Sequence, residues 1–201
     1  MVFKSLVTAE ELIRMPADDR RYELIDGELI EMSPAMPEHG WHGAELVLSI
    51  GGYAKPRGLG VVFDSSVGYK FGSDPDTVLE PDVSFFRTER VPPRKDWKTY
   101  FTIAPDIVAE VLSPPERRAH VNRKIRIHLE AGVRLLWLVR PRRRTVTVYT
   151  PDREPQVLGR DDVLIGDDVL PGFRLPLRDL FGADSPDNGT AQSRLDGVPE
   201  D

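Results

Sequence analysis

Residues 105–124 read PDIVAEVLSPPERRAHVNRK, and the way this stretch folds decides the rest of the chain. From Ile107 to Leu112 it is an apolar run suited to a buried strand, broken by one acid, Glu110. An ionised carboxylate among Val and Leu is unfavourable there unless a cation or hydrogen-bond donors compensate it. Val108, Glu110 and Leu112 share one face of such a strand. Ser113-Pro114-Pro115 closes it, and Glu116 to Ala131 reads as a helix with Gly132 as its stop. His120, Lys124 and His128 recur every fourth residue and form one stripe on that helix. The two His are about 12 Å apart at 1.5 Å per residue, too far to share one metal ion. Upstream, Pro81-Asp82-Val83 opens a second strand in which Asp82, Ser84 and Phe86 share a face. Pro-Asp alone is a common turn opener, and a lone Glu in a strand more often faces water. Two acids and a Lys on three successive elements read together as a site.

Composition bounds the possibilities. With 201 residues, 40% of them hydrophobic, the chain suits one domain, placed over residues 1–182. The absence of Cys excludes a disulfide framework and thiolate metal sites. Met1 to Arg20 has no apolar signal region, and no run approaches the roughly 18 apolar residues of a membrane span, so the reading is a soluble, cytoplasmic protein without a membrane partner. The net charge of −6 argues against a generally basic nucleic-acid binder. Yet from Glu116 to Arg144 ten Lys and Arg face two Glu, and Arg140, Arg142, Arg143 and Arg144 cluster at one turn. A local patch of this kind attracts phosphate even on an acidic protein; its plainer reading is a solvated helix face and a charged hairpin turn.

Taken in order, Thr8 to Met15 reads as a short capped helix stopped by Pro16, with Glu11 at the capping-box position. Asp26-Gly27 between alternating segments signals a tight hairpin over Tyr22 to Met32, ended by Ser33-Pro34. His39 to Ala54 reads as a helix. Its acid, Glu45, is either solvent-exposed or an auxiliary group at a metal site, and His39 and His42 read as local caps. Gly60 to Phe71 reads as a strand pair or one bent strand, and the polar 87–101 segment with Pro92-Pro93 as a mobile loop. Val133 to Val139 and Thr145 to Tyr149 form a hairpin across the basic turn, and short strands with a last helical turn follow from Val157 to Leu180. Residues 183–201 read as an acidic, disordered tail. The architecture implied is α/β: a mixed sheet in one layer with helices on its faces.

The hairpin motif from Tyr22 to Glu28, Pro81-Asp82-Val83, the segment from Pro105 to Pro114, Lys124, Ala131-Gly132-Val133 and Trp137-Leu138-Val139 resemble, in order and spacing, the bacterial putative restriction endonuclease family. The resemblance spans nearly everything from Thr8 to Phe181. It implies the restriction-endonuclease-like fold of the PD-(D/E)XK nucleases, with a mixed central sheet flanked by helices and an N-terminal helix and hairpin as an extension. It also implies that Asp82 and Glu110 are the motif acids and metal ligands. The basic residue usually stands two positions after the second acid; Leu112 occupies that place, and Lys124 on the next helix matches the family's relocated Lys. The family commonly carries Tyr where His128 stands and Asp where Arg140 stands, which leaves the acid pair intact and bears on substrate preference.

The function implied is Mg²⁺- or Mn²⁺-dependent hydrolysis of phosphodiester bonds, with Asp82, Glu110 and Lys124 catalytic and Glu45 and His128 auxiliary. Arg140 and Arg142 to Arg144 would track the backbone of nucleic acid, DNA above all. A homodimer suits cleavage of two strands. Two other readings compete: a non-catalytic nucleic-acid or protein interaction module on the same fold, and a paired-carboxylate glycosidase.

Overall fold

The computed structural model describes residues 6–15, 20–32, 36–113 and 117–182. The stop at Pro16, the exit at Ser33-Pro34, the Pro114-Pro115 closure and the tail from 183 lie outside these residues.

The chain begins with α1 (Ala9–Ile13), held by a reciprocal capping box in which Thr8 Oγ1 accepts from the Glu11 amide and the Glu11 carboxylate accepts from the Thr8 amide. The hairpin β1 (Arg21–Ile25) and β2 (Glu28–Met32) turns through Asp26 at φ 51° and Gly27 at φ 75°. Two left-handed residues give a turn whose twist matches that of the strands. The long helix α2 (Pro37–Ala54) starts with Pro at its first position, where no amide partner is needed.

Then follow β3 (Gly60–Asp64), β4 (Tyr69–Gly72), β5 (Thr77–Leu79), β6 (Val83–Arg87), β7 (Ile107–Val111), α3 (Arg118–Glu130), β8 (Leu135–Arg140), β9 (Thr145–Thr150) and β10 (Arg153–Leu158). A two-stranded ribbon, β11 (Val163–Ile165) with β12 (Arg174–Pro176), and α4 (Leu177–Phe181) complete the described chain. Gly132, at φ 101°, ends the α3 segment as its sequence position predicts.

The central sheet has the order β10-β9-β8-β7-β6-β3. It is mixed, since β7 and β8 run parallel while the other neighbours are antiparallel. The parallel pair needs a crossover, and α3 supplies it. Every residue of β7 is buried, which is why its sequence, Glu110 apart, is apolar throughout rather than alternating. Ala109 and Val111 join Leu46 and Ile50 of α2 and Trp137 in the larger core. Val108 packs on the opposite face with Val121 and Ile125 of α3 and Leu136 and Leu138 of β8. Glu110, two residues from Val108, therefore points toward α3.

Three sequence expectations change. The sheet is not one layer: β2-β1-β5-β4 forms a second, four-stranded sheet, and the N-terminal hairpin is half of it. Residues 60–71 are neither a pair nor one bent strand, because β3 joins the central sheet beside β6 while β4 pairs with β5 in the other. The 87–101 segment is anchored. Trp97 packs edge-on against Phe63 and Phe101, its indole N–H donates to the Pro92 carbonyl, and Arg90 pairs with the buried Asp106 at 2.7 Å. Aromatic packing there outweighs the polar composition.

Candidate active site

Strand register brings the two acids together. β6 runs antiparallel to β7 with Val83 opposite Ala109, and the residue before it, Asp82, meets the end of β7: its Oδ2 accepts the Val111 amide at 2.7 Å. Glu110, 8% exposed, reaches toward α3, whose Lys124 and His128 are both buried. Lys124 Nζ stands 2.9 Å from Glu110 Oε2, and His128 Nε2 stands 2.9 Å from Oε1. An ionised carboxylate only accepts, so Nε2 carries the His128 proton. The four-residue stripe of the sequence thus places two donors on one carboxylate.

A third carboxylate enters from the second sheet. Glu23 on β1 is fully buried, and its Oε1 lies 2.9 Å from the same Lys124 Nζ and accepts the Glu80 amide at 3.2 Å. His120 stands 3.8 Å from Glu23 Oε2. At the mouth, His39 Nε2 is 3.2 Å from Asp82 Oδ2, and Arg21 pairs with Glu80 at 3.0 Å. These groups surround a cleft of about 590 Å³ lined by Arg21, His39, Asp82, Glu110, His120 and Lys124 among others.

The electrostatics follow from this crowding. Burial opposes the Glu110 charge, but Lys124 and His128 outweigh it and hold the carboxyl down at about 2. Burial likewise opposes the Lys124 charge, and Glu110, Glu23 and Asp82 together override it and push the ammonium upward. Glu80 is raised because burial exceeds the pull of Arg21, and burial lowers His120 against the attraction of Glu23. Three acids, Glu23, Asp82 and Glu110, thus act on one buried ammonium. Among the described residues no group of three His, Cys, Asp or Glu is arranged to hold a metal ion.

Asp82, Glu110, Lys124 and His128 converge, and Glu45 does not join them. It sits half-buried on α2 near His42, whose Nδ1 bonds the Leu180 carbonyl. Arg140 is half-buried and donates to Thr147 Oγ1, whereas Arg142, Arg143 and Arg144 are exposed in the β8–β9 turn. Because β7 and β8 are parallel with Val111 opposite Val139, that turn lies at the same sheet end as Glu110. Sequence reasoning misses Glu23, Glu80 and Arg21 as site residues and takes His39 only as a cap. Glu23 carries the same signal as Glu110, an acid inside a run of β-formers, but the hairpin motif accounts for it without a site.

The family model described as "Putative restriction endonuclease" matches residues 9–178. The crystal structure of a putative nuclease belonging to DUF820 from Anabaena variabilis is similar to this chain with a TM-score of 0.77 and 29% identity, covering 87% of this chain and 97% of that one. No curated protein is significantly similar in sequence. Among the described residues no helix is long and apolar enough to cross a membrane.

Proposed function

Because this chain belongs to the putative restriction endonuclease family, we propose that it hydrolyses phosphodiester bonds of nucleic acid, DNA foremost, through Asp82, Glu110 and Lys124. The observation that carries this reading is the surplus of carboxylates around the buried Lys124 at the floor of an open cleft. A purely structural ion pair needs one acid per ammonium, and a hydrophobic pair would serve stability as well. Surplus negative charge beside a cleft suits a cation that arrives from solvent.

The donor set fits a hard divalent ion. Asp82 and Glu110 offer carboxylate oxygens, and the chain has no thiolate to favour a softer metal. Two protein carboxylates with water in the other positions is a common arrangement for Mg²⁺, and Mn²⁺ takes the same oxygen donors. When bound, such an ion neutralises charge on the phosphoryl group and acidifies water.

The chain's own residues do the rest. The Val111 amide and His39 fix Asp82 through Oδ2. His128 fixes the Glu110 carboxylate from Oε1. The Lys124 ammonium, held at the cleft, stabilises negative charge that builds on the phosphoryl oxygens during attack. Arg142 to Arg144 contact the backbone of the bound strand, and duplex cleavage by one site per subunit would call for a homodimer.

Calorimetric titration of Mg²⁺ and Mn²⁺ into wild type and Asp82→Asn, with nuclease assays on the same samples, tests the proposal. Metal binding and DNA cleavage are expected in wild type and lost in the variant. Lys124→Met should not weaken metal binding and should lose at least 100-fold in rate, on the scale of removing one transition-state donor, about 10²–10³. Cleavage at the wild-type rate in both variants refutes the assignment, and DNA binding without metal binding would mark a non-catalytic binding module.

A further inference from the structure

We propose that Glu23 is a positioning residue, a second counter-ion that keeps the Lys124 ammonium at the cleft when Glu110 is engaged elsewhere. It rests on the proposed site and extends it to the second sheet. Lys124 Nζ sits 2.9 Å from Glu23 Oε1 and 2.9 Å from Glu110 Oε2, so the ammonium is shared between a strand of each sheet. Glu110 and Lys124 line the cleft, and Glu23 is not among the described residues that do. Glu23 is fully buried, at 0% exposure, and so out of reach of a substrate. Its carboxylate is aimed by the Glu80 amide on Oε1, and its Oε2 is buried with no hydrogen-bond partner, His120 standing 3.8 Å away.

The arrangement makes physical sense only if Glu110 does not hold Lys124 alone. Burying a carboxylate with an unsatisfied oxygen costs stability, so Glu23 is a poor choice for packing. A cation drawn to Glu110 repels an ammonium bound to the same carboxylate. With Glu110 as sole partner, Lys124 would swing away when the site fills. Glu23, fully buried and in contact with Lys124, keeps its attraction and leaves the ammonium where it faces the substrate.

Lysine Nζ NMR of the full chain, without metal, tests this directly. The ammonium resonance absent from Lys124→Arg belongs to Lys124. It should stay protected from exchange in Glu110→Gln and be lost in Glu23→Gln/Glu110→Gln. Loss in Glu110→Gln alone, or retention in the double variant, overturns the proposal, and neither result depends on nuclease activity. In wild type, saturating Mg²⁺ should leave the resonance in place, and its loss would equally overturn the idea. Glu23→Gln should lower kcat by about 10–100-fold with KM and Mn²⁺ affinity unchanged, the usual scale for an outer-shell partner; a change confined to KM or metal affinity contradicts it. Absence of cleavage in wild type would fail the nuclease reading, while the metal-free NMR of Lys124 would still decide whether Glu23 holds the ammonium.

Discussion

An ammonium sealed between carboxylates ties the stability of the site to pH, and the sign differs from residue to residue. The Glu110 carboxyl is held at about 2 against an ordinary 4.5. A depressed acid contributes stability that is complete above its unfolded value and is lost as pH falls through its folded one. The loss therefore runs from about 4.5 down to about 2. Thermal unfolding of Glu110→Gln across this window should show a flatter acid limb than wild type; parallel limbs would mean that the pair contributes nothing. At pH 7 the same variant should lose less than the about 3–5 kcal/mol typical of a broken buried pair, since Glu23 still partners Lys124. Lys124, raised, contributes below its ordinary 10.5 and loses that contribution only as pH climbs through its raised value. Glu80 has the opposite sense to Glu110. Burial raises it, so its contribution is present below 4.5 and lost as pH rises through the folded value. Glu80→Gln should accordingly raise the melting temperature at pH 7 and give no gain at pH 4. An equal gain at both pH values would assign the effect to something other than its charge.

The hairpin is the element that links the two halves of the site. Its turn is tied down on all sides: the Gly27 amide donates to the Asp76 carbonyl at 2.8 Å, its carbonyl accepts the Val7 amide at 2.9 Å, and Asp26 pairs with Arg123 of α3. A Cβ at Gly27 would meet Leu6 Cβ at 2.8 Å, on a residue already at φ +75°. Gly27→Ala should therefore cost about 1–2 kcal/mol, the penalty of the left-handed conformation. Urea unfolding should show a lower midpoint with an unchanged slope, and a changed slope would mean that the hairpin melts separately. The turn itself is legible in Asp26-Gly27, as are the Thr8 cap, the buried β7 run and the Gly132 stop, because each is decided by local chemistry. The partition of β3 and β4 between two sheets is not. Alternation shows which face of a strand is buried and says nothing about which strand pairs with it. The same gap hides Glu23: an acid in a strand announces that it needs a partner, but only the packing of β1 over α3 reveals that the partner is Lys124. In the 87–101 segment, prolines and charges mask Trp97, whose edge-on packing against Phe63 and Phe101 helps fix the loop.

At the scale of the molecule, charge is arranged by position and not by total. The chain carries a formal −6, and Asp82 and Glu110 lie in the cleft, yet the exposed β8–β9 turn at the same sheet end presents Arg142, Arg143 and Arg144 together. On the proposed function, a polyanion approaching this end would meet these exposed arginines, while the buried acids would favour a cation. Each Arg that contacts a phosphate releases condensed counterions, so the logarithm of DNA affinity falls with the logarithm of salt by about 0.9 per contact. Replacing Arg142, Arg143 and Arg144 by Gln should thus weaken binding at low salt and reduce that slope by about 0.9 for each contact removed, up to about 2.7 for three. The loss should be equal for unrelated sequences, because phosphate contacts carry no base information. Mg²⁺ affinity should stay at its wild-type value, since the three side chains are exposed and outside the cleft lining. An unchanged salt slope with weakened binding would assign the turn to a non-electrostatic contact, and a loss confined to one sequence would make these arginines readers of bases.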